Sequence, residues 1–168
     1  MAATLEMRLS GGTGNTDPNA ALGGARSTAG GGIVPTSLTA NSLFDDVTGA
    51  EEQAGDTEYR CVYIRNSGDV QAQNTVVWLS ANTADADTTI DIGLGSGAVD
   101  ATEQTVANES TAPTSVTFSA PSSEGAGLSI GSLNAGSHKA LWLRRTVNAT
   151  AGASNDTFTV ASAFDTAP

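Results

Sequence analysis

Apolar and polar residues alternate with a period of two over most of the chain beyond residue 56. This is the pattern of half-buried strands, whose successive side chains point to opposite faces. Thr57–Asn66 reads as a strand with Val62 and Ile64 inward. Asn74–Ser80 reads as another, although Val76/Trp78 and Val77/Leu79 are equally apolar and leave its facing open. Thr88–Leu94 places Ile90, Ile92 and Leu94 on one face, and Ser115–Ser119 pairs Val116 with Phe118. Gly127–Leu133, His138–Val147 and Asp156–Ala163 complete the set. Gly, Asn, Asp, Pro and Ser clusters separate these segments, so the pattern predicts an all-β antiparallel sandwich or barrel. Strand–helix–strand alternation is missing, which argues against a parallel α/β sheet. One short helical turn is expected at Leu43–Val47, with Asn41 or Ser42 as its cap.

The first 44 residues differ. They carry Glu6, Asp17, Arg8 and Arg26, which cancel, and the Gly-rich stretches Ser10–Gly14 and Leu22–Gly32. Such sequence buries little apolar surface by itself. Residues 1–44 therefore read as an extended N-terminal arm before a sandwich domain at 45–168. Leu5, Met7 and Leu9 alternate and suit a short strand laid against a neighbour; Ile33, Val34, Leu38, Leu43 and Phe44 punctuate the rest. The plainer alternative is a floppy terminus.

Composition narrows the function. Gly (19), Thr (22) and Ser (17) fill a third of the 168 positions, while 18 acids against 7 bases leave a net charge of -11. Phosphate contacts need clustered Lys and Arg, so nucleic acid and anionic membrane are poor partners. No apolar run reaches the roughly 18–20 residues that span a bilayer, and Met1–Ser10 has no secretory pattern. One cysteine, Cys61, excludes an intrachain disulfide.

Catalytic chemistry is poorly represented. His138, the single histidine, follows Ser137, but neighbours on a strand point apart. Gly23-Gly24 and Gly30-Gly31-Gly32 lack the lysine and the strand–helix context of a phosphate loop. No enzyme activity and no cofactor are expected. Asp85, Asp87 and Asp91 form a carboxylate run whose spacing suits a hard cation, although the glycine and terminal glutamate of an EF-hand loop are missing. The alternative is a solvated acidic loop. Asp45, Asp46, Glu51, Glu52, Asp56 and Glu58 form a second acidic run, which reads more strongly as a solvated one.

The bases are more telling. Five of the seven (Arg60, Arg65, Lys139, Arg144 and Arg145) lie on two strands. With Val62, Ile64, Leu141 and Leu143 inward, Tyr63, Arg65, Trp142 and Arg144 face outward. Tyr, Trp and Arg are the residue types of binding hot spots. With Leu5, Met7 and Leu9 of the arm, they form the expected protein interface. The alternative is a face whose aromatic and Arg side chains only cover the sheet and pair with its carboxylates.

Two resemblances rest on quoted residues. Ala54–Tyr59 followed by Val62-x-Ile64-x-Asn66-x-Gly68 resembles the turn, strand and turn of immunoglobulin-like accessory domains of microbial surface and phage proteins. That likeness implies an immunoglobulin-like β-sandwich without its disulfide, with Trp78 as the core tryptophan. Leu43–Glu51, Gly55–Cys61, Asn108–Pro113, Val116–Ser123 and His138–Arg145 resemble segments of small structural proteins of tailed bacteriophages. This second likeness spans about 41–147. It implies a virion component made in the host cytoplasm and placed on the capsid surface as a decoration (cement) protein. The implied partners are the major capsid protein, other virion proteins and further copies of itself. A tail, baseplate or connector component is the alternative. A carbohydrate- or cell-surface-binding module using Trp142 or Trp78 is a third.

Overall fold

The computed structural model describes residues 2–150 and 156–166. Eleven strands and one short helix are present among them. The strands are β1 (Leu5–Leu9), β2 (Gly23–Gly24), β3 (Ile33–Val34), β4 (Ser37–Thr39), β5 (Asp56–Asn66), β6 (Ala72–Ala81), β7 (Thr88–Leu94), β8 (Glu103–Thr105), β9 (Leu128–Leu133), β10 (His138–Val147) and β11 (Thr157–Thr166). The helix α1 (Gly49–Ala54) precedes β5. A five-stranded sheet runs β3-β1-β5-β10-β7, a four-stranded sheet runs β4-β11-β6-β9, and β2 pairs with β8 as a small ribbon. Every pairing is antiparallel.

The main core lies between the two larger sheets. Met7, Leu9, Val62, Ile64, Ile90, Ile92, Leu141 and Leu143 from the first meet Leu38, Ala72, Val77, Leu79, Leu133, Phe158 and Val160 from the second. On β6 the structure settles the facing: Val77 and Leu79 are buried inward. Trp78 is half-exposed on the outer side, so it is not the core tryptophan that the immunoglobulin likeness implied.

The N-terminal stretch is not a separate arm. β1 pairs along its whole length with β5, from Leu5↔Asn66 to Leu9↔Val62, and β4 pairs with β11. Ala21, Val34, Leu38, Leu43 and Phe44 join the same core. The Gly-rich segments supply close approach instead of looseness. Gly23 has φ +94°, and a Cβ there would lie 1.8 Å from the Gln104 carbonyl oxygen. Small residues thus let this segment press onto the sheets, which its composition concealed.

Two further expectations move. The helix forms at Gly49–Ala54 because Thr48 and Glu51 make a capping box there; Ala40–Ser42 is a single tight turn. Ser115–Ser119 is not a strand. It contributes one bridge, Ile92↔Ser119, while Val116 and Thr117 lie against the bare Cα of Gly93.

Candidate functional site

The expected docking face is already covered within the chain. Tyr63 and Trp142 are wholly buried, and Met7 and Leu9 are core residues. Leu5 is partly buried and packs against that same core. β5 and β10 are buried on both sides. Their outward-pointing side chains Tyr59, Cys61, Tyr63, Ala140 and Trp142 form a second apolar cluster with Val106, over which Leu22, Val116 and Phe118 close. The Tyr63 hydroxyl donates to the Gly24 carbonyl (2.6 Å) and accepts from the Glu103 amide (2.9 Å), which ties the β2–β8 ribbon down. Trp142 therefore offers neither an interface anchor nor a sugar platform. Arg65 and Arg144 are partly exposed but paired, Arg65 with Glu6 (2.7 Å) and Arg144 with Asp91 (2.7 Å). Arg144 also lies 5.0 Å from the Phe118 ring centroid.

The acidic run is also dispersed. Asp91 is engaged by Arg144, and Asp85 accepts from the Asp87 amide in a local turn (2.9 Å). Asp85, Asp87 and Asp91 do not converge on a common point among the described residues. Ser137 and the His138 amide both donate to Asp100. Burial, then the nearby Arg26, pulls the His138 imidazole below its ordinary value. Burial pushes the Cys61 thiol far up, so it stays protonated and inert.

Two other places stand out. The first is a charged cluster that strand parity brings inside. Glu58 and Arg60 share the inward side of β5 with Val62 and Ile64, and Arg145 shares the inward side of β10 with Leu141 and Leu143. Glu58 lies opposite Arg145 in register. All three are buried. Arg145 Nε donates to Glu58 Oε2 (2.5 Å), and Arg60 Nη2 donates to Glu109 Oε2 (2.6 Å). Phe44 closes the end of the core, with the Arg145 and Arg60 guanidinium carbons 5.1 and 5.7 Å from its ring centroid. Burial and the adjoining Asp45 carboxylate push the Glu58 carboxyl up to about 8. Asn41 and Asn19 accept from Arg145 and Arg60. The parity was readable in the sequence; the two segments that bring Phe44, Asp45 and Glu109 to it were not.

The second is an apolar groove of about 300 Å³ at the turn from β3 to β4. Leu9, Val34, Leu38 and Leu43 form its floor, and Ile33 and Pro35 its rim. Ile33 is half exposed, which only one other large apolar residue among those described (Val99) approaches. The chain here passes from one sheet to the other, so the groove crosses the edges of both. No family model, no curated protein and no solved structure matches this chain.

Proposed function

We propose that the protein is a structural component of a tailed-phage virion: a capsid decoration protein that stabilises the shell by non-covalent contacts. Within this proposal the two-sheet body is an immunoglobulin-like module, and its partners are the major capsid protein or other virion proteins, with copies of itself as neighbours. The groove at Ile33 carries the reading. An uncharged apolar slot lies on a surface that otherwise bears most of a net charge of -11. Such a slot suits an apolar anchor from a coat subunit, and the surrounding carboxylates keep particles soluble and apart. The segment likeness to phage structural proteins supports the same conclusion. A protein that binds only the assembled shell stabilises it by linkage.

The test is co-sedimentation with shells that lack this protein. Ile33→Asp should lower shell affinity by about tenfold or more, the scale of a desolvated anchor lost. Its melting temperature should stay that of the wild type, because Ile33 is half exposed. Unchanged binding by this variant would remove the groove from the argument. Wild-type protein that ignores shells but binds isolated tails would move it to the tail.

A further inference from the structure

We propose that Glu58 is a proton-operated latch: its buried carboxyl group carries a proton that it donates to the Asp45 carboxylate, and loss of that proton loosens the 40–46 segment to which Asp45 belongs. The charges of the cluster call for the proton. Asp45, Glu58 and Glu109 each place a carboxylate oxygen within 4.8 Å of the other two. Arg145 pairs with both Glu58 and Asp45, while Arg60 pairs with Glu109 and stands 3.8 Å from Glu58. Three carboxylates against two guanidiniums leave one negative charge in excess, where Glu58, Arg60 and Arg145 are all buried. An uncompensated buried charge is costly, and one bound proton brings the sum to zero.

The geometry places that proton on Glu58. The Glu58 side chain is 3% exposed and that of Asp45 43%, so water solvates a charge on Asp45 and not one on Glu58. Glu58 Oε2 accepts from Arg145 Nε, yet Oε1 accepts no hydrogen bond among the described residues. A sealed carboxylate oxygen without a donor is costly, whereas a protonated one becomes a donor itself. Asp45 is the acceptor within reach. It touches Glu58 by hydrogen bonding as well as by charge, and two carboxyl groups share a hydrogen bond only when one of them is protonated. Burial and then Asp45, against the pull of Arg145, account for the raised Glu58 value. The other acids nearby act in the same sense: Asp56 on β5 interacts with Glu51 on α1 and with Glu109.

The proton matters beyond Glu58 because the 40–46 segment is pinned at this cluster. Arg145 donates to the Asn41 side-chain oxygen (3.3 Å) and pairs with Asp45 (3.5 Å), and both guanidiniums lie against the Phe44 ring. Once Glu58 ionises, two carboxylates face each other with no proton between them. The strain falls on the half-exposed partner, Asp45, which can move out into water. Ser42 and Leu43 of the same segment line the apolar groove at Ile33, so the wall of that groove follows the protonation of Glu58.

The experiment compares the isolated full chain with Glu58→Gln, which keeps a donor towards Asp45 but has nothing to titrate. A folded value near 8 above the ordinary 4.5 makes the contribution of Glu58 complete below pH 4.5 and progressively lost as pH rises to about 8. Across that window the urea unfolding constant of the wild type should rise about tenfold per pH unit relative to Glu58→Gln, and no further beyond it. Hydrogen-exchange protection of the Leu43 and Phe44 amides, which donate to the Ala40 carbonyl, should fall over the same range in the wild type and hold in the variant. At pH 7 the infrared spectrum of wild-type protein carrying isotope-labelled glutamate should show the carbonyl band of a protonated acid, absent from Glu58→Gln. Asp45→Asn removes the facing charge and should move the whole titration to lower pH. Should Glu58→Gln fail to fold, the infrared band and the Asp45→Asn shift decide. Parallel unfolding curves for the two proteins, equal loss of Leu43 and Phe44 protection in both, no protonated-acid band, or a titration that Asp45→Asn leaves in place would each overturn the proposal. All of these readings use isolated protein, so their failure is distinct from a failure to bind shells.

Discussion

Replacing Trp142 by alanine tests most directly whether the outward face of β5 and β10 is internal structure or a docking surface. The indole is wholly buried, opposite Cys61 and Gly93 in register and roofed by Val106, Val116 and Phe118. A tryptophan buries about 150–250 Å², worth roughly 4–6 kcal/mol at about 25 cal/mol per Å². Truncating large aromatics in cores costs about 3–5 kcal/mol, against a total stability of about 5–15 kcal/mol for a typical domain. Trp142→Ala should therefore lower the urea midpoint by about a fifth or more. Trp142→Phe should cost clearly less. The indole Nε1 has no hydrogen-bond partner among the described residues, so phenylalanine keeps most of the apolar contact and removes a buried donor worth about 1–3 kcal/mol of penalty. Circular dichroism of isolated protein in urea reads both. If Trp142→Ala leaves the isolated chain as stable as wild type and weakens only its association, the face is a docking surface and the burial argument is wrong.

Three further substitutions probe other parts of the frame. Asn66 is fully buried and satisfied: Oδ1 accepts from the Thr4 and Gly68 amides, and Nδ2 donates to the Val70 and Leu133 carbonyls. Asn66→Ala should cost about 2–4 kcal/mol in urea unfolding, because several backbone groups lose their partner together. Gly23→Ala, which drives a Cβ onto the Gln104 carbonyl at a positive φ, should abolish soluble expression, whereas Gly30→Ala, with open space around it, should express and melt normally. Glu103 is buried, which opposes its charge, but donors from Gly97, Gln104 and Ser96 outweigh this and hold its carboxyl below the ordinary 4.5. Its contribution is thus full above pH 4.5 and is lost as pH falls through the lower folded value. Glu103→Gln should flatten that acid limb of the urea midpoint against pH.

How much of this was legible in the chain depends on what each residue type can signal. The strands with clean alternation, such as Ile90–Ile92 and Phe158–Val160, sit where the pattern put them, because one-sided burial is what a period of two encodes. β5 and β10 carried a different signal. Cys61-Val62-Tyr63-Ile64 and Ala140-Leu141-Trp142-Leu143 are unbroken apolar runs, and such runs mark strands buried on both faces. Taking them as one-sided put Tyr63 and Trp142 outside. The cover that buries them comes from residues 20–24 and 103–118, whose short Gly, Thr and Ser side chains give little periodicity of their own. The N-terminal Gly-rich segment misled for the same reason, since a glycine that permits contact and a glycine that permits motion look alike in a sequence. The Glu58, Arg60 and Arg145 cluster was half visible. Their parity with Val62, Ile64, Leu141 and Leu143 required charges to point into the core, and a buried charge demands partners. Glu109 and Asp45 answer that demand from 51 and 13 positions away along the chain. No local pattern encodes such a meeting, which only the topology of the two sheets brings about.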